Sequence, residues 1–306
     1  MDFTKKPNFG SVILTLLMIY LLSMVAASFF STGISGIRLG NIALIRINAP
    51  IASESSLMFM DKTISSDEII AFIDEAESNP AIKAILFEIN SPGGTAVASA
   101  ELMDRIKRIN RTTASYIREL GVSGAYWAAS ATQRIFANSM SIVGSIGVYG
   151  SYVQVSGLMQ RYNLTYQRLV SGKYKDIGSP LKELTAEERD IIQENMDEMH
   201  SMFIESVMQN RGLSNDAMKE IGTGIIYTGE SALTKGLVDE IGGKEEAIKY
   251  VEKRLNITAA VAEYKKTRTF FGMLSELMSE FSFTLGSGIS SGYANAVQNT
   301  GQIAYT

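Results

Sequence analysis

The chain contains no cysteine, one histidine, one tryptophan and five prolines among its 306 residues. Without cysteine there is no thiol nucleophile, no thiolate metal site and no disulfide. The net charge of -4 supplies no basic surface for nucleic acid. The single histidine, His200, follows a helical pattern and lacks nearby partners for a Ser-His-Asp triad, so we interpret it as a residue at the edge of the core. With 46% hydrophobic residues, the chain can still bury a full core.

Charge is also missing from a long stretch near the N-terminus. The uncharged and largely apolar run Ser11–Phe30 has about the twenty residues that a helix needs to cross a bilayer. Lys5 and Lys6 precede it, and the next charge is Arg38, which places the N-terminus in the cytoplasm. The small residues at 25–28 also fit a cleaved secretory signal, although such apolar regions are usually shorter. We therefore predict a single-pass protein of the cell membrane with its main domain outside the cytoplasm.

The body of the chain alternates strand and helix patterns. Near-continuous apolar runs at Asn41–Ile51 and Ala81–Asn90 predict buried strands, and Leu164–Val170 also reads as a strand. Thr185 and Glu188 form a capping box before a long amphipathic helix that Gly212 can end. These patterns predict an α/β fold with parallel strands. The expected divisions are a cytoplasmic tail (1–10), an anchor (11–30), an extracytoplasmic domain (31–262) and an amphipathic or flexible tail (263–306).

Three turns rich in small residues are candidates for a site. The "SPGG" turn, Ser91–Gly94, lies between a strand and a helix, so its amides can point into a site and form an oxyanion hole. The stretch "GVSGAYWAAS" presents Ser123 between glycines before a helix, with Gly124 able to donate a second amide. "SIVGSIGVYG", Ser141–Gly150, indicates close backbone packing around a site. Each of the first two turns alone is equally compatible with ordinary packing, whereas the third is too rich in glycine and serine for plain core and too apolar for a linker.

A nucleophilic serine needs a base, and no suitable histidine is present. A lysine can serve only when neutral, and at a reference pKa near 10.4 about one lysine in a few thousand is neutral at pH 7. Desolvation in an apolar pocket supplies the required shift. The candidate segment is "VSGKYKDIGSP", which contains Lys173 and Lys175 among aromatic and small residues. The residues alone do not choose between these lysines, and either could be a solvated surface charge. No His/Cys cluster indicates a metal, and we expect no cofactor.

The motifs "SPGG", "VSGAYWAA", "VGSIGV", "SGKYKDIGSP" and "YTGESALTKGLVDEIGG", in this order and at these separations, resemble the signal peptide peptidase A family of serine-lysine membrane peptidases. The resemblance covers about residues 41–254. It implies a crotonase/Clp-protease-like spiral of ββα units behind one transmembrane helix. It also implies a homo-oligomeric ring or dome, and it leaves open whether the serine and lysine of each site come from one copy or from neighbouring copies. The expected substrates are extended, apolar peptides such as signal peptide remnants.

The resemblance also implies roles for single residues. Ser123 matches the nucleophile, Lys175 the general base and Ser145 a serine that orients the lysine amine. Gly94 and Gly124 match the oxyanion donors. Gly93 is an alternative to Gly94, and Lys173 falls at a variable position. One departure is Ala125, where the family usually has a second glycine after the nucleophile; because alanine is small, we expect no loss of activity.

Two other functions fit the same residues less closely. A crotonase-like enzyme would use the same pair of amides to stabilise a thioester enolate, although it would have no need of a bilayer anchor. A catalytically silent membrane scaffold would bind partners through its C-terminal tail. Loss of peptide cleavage in Ser123→Ala and Lys175→Ala variants would separate the peptidase from both.

Overall fold

The computed structural model describes residues 13–24, 39–54, 57–58 and 61–266. Residues 13–24 form a helix, α1, with exposed side chains. Within the described ranges, no helix has both the length and the hydropathy that a bilayer crossing demands. The ends of the predicted anchor, at 11–12 and 25–30, lie outside the described residues, as does the C-terminal tail from residue 267 onward.

Residues 38–265 form one compact unit, built around a mixed sheet. In the described part of this unit, eight strands belong to the sheet: β1 (Ile42–Ile47), β6 (Ala84–Ser91), β7 (Thr112–Val122), β8 (Ile135–Ala137), β9 (Ile142–Gly144), β10 (Ile226–Thr228), β11 (Glu240–Ile241) and β12 (Val261–Tyr264). Four shorter strands pair outside it: β2 (Ile51–Ala52) with β5 (Ile64–Ser65), and β3 (Leu57–Met58) with β4 (Asp61–Lys62).

Eight helices of the described unit connect or cover these strands. They are α2 (Ser66–Ser78), α3 (Ala96–Lys107), α4 (Gly124–Ser130), α5 (Ser156–Arg161), α6 (Ala186–Arg211), α7 (Asn215–Ile221), α8 (Gly229–Thr234) and α9 (Lys244–Leu255). The capping box at the start of α6 is present: Thr185 Oγ1 accepts from the Glu188 amide, and the Glu188 carboxylate accepts from the Thr185 amide. Gly212 ends α6 in the left-handed conformation, as predicted.

The main sheet has the strand order β10-β9-β7-β6-β1-β12, with β8 paired to β7 and β11 paired to β8. All of these pairs are parallel except β9 with β10, which confirms the predicted parallel α/β body. Apolar layers cover both faces. Ile45 and Phe87 pack on the side of α2, α3, α4 and α6, whereas Leu44 and Leu86 pack on the side of α9. Burial on both faces explains why the central strands read as continuous apolar runs.

The prediction of a strand at Leu164–Val170 is wrong. This segment has no regular secondary structure, and Leu169 is 95% exposed. Its alternating pattern resembles a strand, but no neighbouring strand pairs with it, and an unpaired strand is not stable alone. The predicted strand Asn41–Ile51 is also split, because β1 ends at Ile47 and β2 begins at Ile51.

Candidate active site

Ser123 lies in the turn between β7 and α4. Its backbone has φ 53° and ψ -131°, a conformation that a residue with a side chain rarely adopts. Its amide donates to the Gly144 carbonyl at 2.8 Å, and its carbonyl accepts from the Trp127 amide at 3.0 Å. Every residue of α4 is buried, so the packing of this short helix holds the strained turn in place. A half-buried serine is thereby presented at the carboxyl end of a central parallel strand, where α/β proteins commonly place their sites.

The "SPGG" turn is fixed by the hydroxyl of Ser91. This fully buried hydroxyl donates to the Ala49 carbonyl at 2.7 Å and accepts from the Gly93 amide at 3.2 Å. The Gly93 amide is therefore occupied. Ile51 pairs with the other side of the turn, because its amide donates to the Gly93 carbonyl at 2.7 Å. Within the part of the chain that the structure describes, no carbonyl or side chain accepts a hydrogen bond from the Gly94 amide. This favours Gly94 over Gly93 as an anion donor.

The two turns are in direct contact. A Cβ atom placed on Gly93 would lie 2.7 Å from the Gly124 amide nitrogen and 2.8 Å from Ser123 Cβ. A Cβ atom on Gly124 would lie 2.0 Å from Ser99 Oγ and 3.4 Å from the Gly94 nitrogen. Both positions therefore require glycine. Like Gly94, the Gly124 amide has no acceptor among the described residues. Two free amides near a serine can stabilise the oxyanion of a tetrahedral intermediate.

Ser145 directly follows β9, the strand that pairs with the end of β7. Val122, the last residue of β7, pairs with Gly144, the last residue of β9. Ser123 and Ser145 are therefore the next residues beyond these paired strand ends. Ser145 also has a positive φ of 51°, and its amide donates to the Ile225 carbonyl at 2.8 Å. Each of these two adjacent strands is thus followed directly by a serine with an unusual backbone conformation. Such backbone strain is concentrated at functional sites.

Lys175 lies elsewhere in the chain, in the loop between α5 and α6. Its side chain is exposed, and its amide donates to the Gly172 carbonyl at 3.1 Å. The structure brings together Ser123, Gly93, Gly94 and Gly124, with Ser145 following the strand paired to β7. Among the described residues of a single chain, it shows no hydrogen bond from Lys175 to Ser123 or to Ser145.

The neighbouring lysines of this loop differ from Lys175 in their partners. Lys173 Nζ binds the Glu187 carboxylate at 2.6 Å, and this hydrogen bond raises the pKa of Lys173. Lys182 pairs with Glu188, which raises the pKa of Lys182. Both lysines are therefore held in the protonated form. In the described ranges, no acceptor or carboxylate contacts Lys175 Nζ. Of the two lysines that the sequence left open, Lys175 is the better candidate for a base.

Several features of the site were not predicted from the sequence. The role of the Ser91 hydroxyl is one, although a serine at the start of a glycine turn is a usable signal because its hydroxyl can bond nearby backbone. Ser99 is another: its buried hydroxyl faces Gly124 and has no hydrogen-bond partner among the described residues. Trp127 stacks on Phe203 of α6, with ring centroids 4.5 Å apart. His200, three residues before Phe203, is half-buried on α6, in agreement with its interpretation as a core-edge residue.

A serine in a strained strand-to-helix turn, next to free backbone amides, defines the class of α/β serine hydrolases. Sequence comparison identifies the family. The model of peptidase family S49 matches residues 105–258, which include Ser123, Ser145 and Lys175. The chain belongs to peptidase family S49, the serine peptidase family that includes signal peptide peptidase A.

Three relatives illustrate the similarity. A protein of Methanocaldococcus jannaschii named as a protease is 35% identical over 217 residues, 69% of this chain and 67% of the relative. A protein of Enterococcus faecium named as signal peptide peptidase SppA is 36% identical over 195 residues, 62% of this chain and 57% of the relative. The chloroplastic serine protease SPPA of Arabidopsis thaliana is 27% identical over 218 residues, 70% of this chain and 31% of the relative. The chain thus spans about a third to two thirds of the length of these relatives.

Proposed function

We propose that this protein is a membrane-anchored serine endopeptidase that uses Ser123 as nucleophile and Lys175 as general base. The main support is the Ser123 turn, which lies next to the unoccupied amides of Gly94 and Gly124. The unpaired amine of Lys175, beside two lysines held by carboxylates, adds to it. The spiral arrangement of ββα units expected from the family is part of the same proposal.

The reaction begins when neutral Lys175 accepts the proton of the Ser123 hydroxyl. The resulting alkoxide attacks the peptide carbonyl, and the amides of Gly94 and Gly124 stabilise the oxyanion. Protonated Lys175 then donates its proton to the leaving amine, so that the C–N bond breaks and an acyl-enzyme remains. Water, activated by Lys175, hydrolyses the ester. Ser145 orients the amine from the adjacent strand.

Lys175 is exposed in the single chain, yet a lysine base must be desolvated to remain neutral near pH 7. A second copy of the chain can supply that desolvation. Support comes from a set of exposed apolar residues between 149 and 169, shortly before the lysine in the chain, which we name the loop surface. Its exposed members are Tyr149, Val153, Leu158, Tyr162, Leu164 and Leu169. Exposed apolar residues in this number are typical of protein interfaces. The active form is thus a homo-oligomer in which one copy covers the lysine of the next.

The proposed substrates are extended, rather apolar peptides, such as signal peptide remnants left in a bilayer. The apolar run Ser11–Phe30 would anchor the enzyme in the cell membrane, with residues 31–262 outside the cytoplasm and residues 263–306 as a tail. Such an anchor keeps the domain close to substrates that are themselves held in the membrane.

A labelling experiment tests the proposal. A fluorophosphonate probe reacts with activated serines, so the oligomeric wild-type chain should be labelled at Ser123 and the Ser123→Ala variant should not. Lys175→Ala should abolish labelling and peptide cleavage, whereas Lys173→Ala, the matched control, should retain both. If Lys175→Ala cleaved peptides at the wild-type rate, the lysine would not be the base. Failure to label a folded, oligomeric sample would favour a silent scaffold, and turnover of an acyl-thioester would favour the crotonase-like alternative.

A further inference from the structure

Asp176 directly follows Lys175 in the chain. A carboxylate beside an amine normally favours the charged form of the amine, which is the wrong form for a general base. The position of this aspartate therefore raises a problem for the proposed reaction. Neighbouring residues of the loop bind the Asp176 carboxylate, so that it does not pair with the amine.

Arg168 holds the Asp176 carboxylate at both oxygens. Arg168 Nε lies 2.6 Å from Oδ2, and Nη2 donates to Oδ1 at 2.8 Å. Nη2 also donates to the Lys173 carbonyl at 3.2 Å, which ties the arginine to the turn that contains the lysine. Such two-point binding fixes the direction of a carboxylate as well as its charge. The Asp176 side chain is only 13% exposed, so little of it faces solvent.

The other charged groups around Arg168 and Asp176 also contribute to neutralising the Asp176 carboxylate. Lys182 Nζ lies 3.6 Å from Asp176 Oδ1 and also binds Glu188 at the start of α6. Glu187, the other carboxylate of that helix start, accepts from Lys173 and from the hydroxyl of Tyr174. The hydrogen bond from Arg168 lowers the pKa of Asp176 to about 2, so this carboxylate stays ionised at every pH at which the enzyme would work. In the described part of the chain, its charge is directed to Arg168 and Lys182, and Lys175 makes no ion pair.

We propose that Arg168 is a positioning residue of the peptidase site, which holds Asp176 away from Lys175 and so keeps the amine free to act as a base. The inference rests on the proposed role of Lys175. Arg168 does not contact substrate; it acts through Asp176. Loss of the arginine frees a permanently ionised carboxylate next to the amine. That carboxylate favours the protonated amine, and the enzyme then needs a higher pH to reach its full rate.

The test is the pH dependence of kcat/KM for full-length Arg168→Gln between pH 6 and pH 10. The probe is an internally quenched decapeptide rich in leucine and alanine. The midpoint of the acidic limb should move up by about 0.5 to 1 pH unit, a modest shift because the loop is partly exposed to solvent. On the acidic side kcat/KM should fall about three- to tenfold, and at the alkaline plateau it should match the wild type. Adding Asp176→Asn to Arg168→Gln should return the midpoint to the wild-type position.

Lys173→Gln is the matched control, because it removes one positive charge from the same loop without releasing Asp176. Its midpoint should stay within about 0.2 pH unit of wild type. A loss of activity that is equal at every pH, and that Asp176→Asn does not restore, would assign Arg168 a purely structural role and overturn the inference. If the acidic limb of the kcat/KM profile had the same midpoint in Arg168→Gln as in wild type, and Lys175→Ala were inactive, the inference would be overturned and the proposed function would stand. Full activity of Lys175→Ala would instead reject the proposed function itself.

Discussion

Ser123 lies between a core strand and a fully buried helix, whereas Lys175 lies with an exposed side chain in a loop that contains several ion pairs. On the serine side, α4 is entirely buried and the Ser91 hydroxyl makes two hydrogen bonds inside the core. On the lysine side, Lys173, Lys182 and Arg168 bind carboxylates, and apolar side chains of the same loop face solvent. Buried packing is rigid, whereas the Lys175 side chain itself is exposed to solvent. The turns around Ser123 are therefore formed in a single chain, and in the proposed mechanism Lys175 becomes a competent base only when another copy covers it.

The largest effect is expected from adding one methyl group to the serine side. In Gly124→Ala, the new Cβ would lie 2.0 Å from Ser99 Oγ, so the turn must move and the Gly124 amide leaves its place. Loss of one oxyanion donor lowers kcat by roughly 100- to 1000-fold. We expect a decrease of that size in peptide cleavage, measured as kcat/KM on a quenched peptide.

Ser99→Gly provides the complementary change, because it removes the Oγ and Cβ atoms that the alanine would meet. The double variant Gly124→Ala/Ser99→Gly should recover part of the lost activity. Ser99→Gly alone should remain active and lose about 1 kcal/mol of stability, the usual penalty for glycine within a helix. Wild-type activity in Gly124→Ala would show that this turn does not need its close packing.

Removal of the Ser91 hydroxyl should have the next largest effect. In Ser91→Ala, the Gly93 amide and the Ala49 carbonyl both lose their partner, and the "SPGG" turn is no longer fixed. We expect kcat to fall about 10- to 100-fold with little change in KM, since a misplaced oxyanion donor affects the transition state more than substrate binding.

Ser115→Ala is the control for this variant. Ser115 is equally buried on β7, and among the described residues its hydroxyl bonds only Thr132 Oγ1, at 2.9 Å. Both variants should lose a similar amount of stability in thermal unfolding, about 1 kcal/mol, but only Ser91→Ala should lose activity. Equal activity in the two variants would contradict a positioning role for Ser91.

A negative charge placed on the loop surface should lower activity by weakening the association of copies of the chain. Leu169 is 95% exposed on the loop surface, and Leu169→Glu would place a carboxylate in the proposed interface. We expect the oligomer to dissociate in analytical ultracentrifugation and specific activity to fall about tenfold at low protein concentration. Met140→Glu changes a similarly exposed side chain, 83% accessible, away from this loop, and it should leave assembly and activity unchanged. An intact, active Leu169→Glu oligomer would reject the loop surface as an interface.

The same contrast separates what the sequence could predict from what it could not. The turns around Ser91 and Ser123 and the ends of α6 follow from local patterns, and the structure has them where they were predicted. The choice between Lys173 and Lys175 depended on Glu187 of α6, a partner that only the fold brings near. The strand prediction at Leu164–Val170 failed for a related reason: a strand needs a neighbour, and a local pattern carries no information about one.

The smallest effect concerns a buried carboxylate on the far side of the sheet from the serine turn. Glu88 accepts hydrogen bonds from Tyr116 and from Arg46 Nε at 3.1 Å, and its side chain is 9% exposed. Burial alone would raise the pKa of Glu88, but the hydrogen bond from Tyr116 and the charges of Arg46 and Arg118 outweigh burial and lower it. A carboxylate with a lowered pKa stabilises the fold above its ordinary pKa, and this contribution is lost as the pH falls through the folded-state value.

Glu88→Gln should therefore lower the free energy of unfolding by about 1 to 2 kcal/mol at pH 7. The difference from wild type should shrink as the pH falls below the ordinary carboxyl pKa of 4.5 and through the lowered pKa of the folded state. Urea titrations of both chains at pH 7 and at about pH 3.5 measure it. Peptide cleavage at pH 8 should be unchanged, because the partners of Glu88 are Arg46, Tyr116 and Arg118, and none of them belongs to the Ser123 turn. A stability difference that is constant with pH would mean that the ionised carboxylate makes no net contribution to stability. A loss of cleavage would mean that the position of Ser123 also depends on the packing around Glu88.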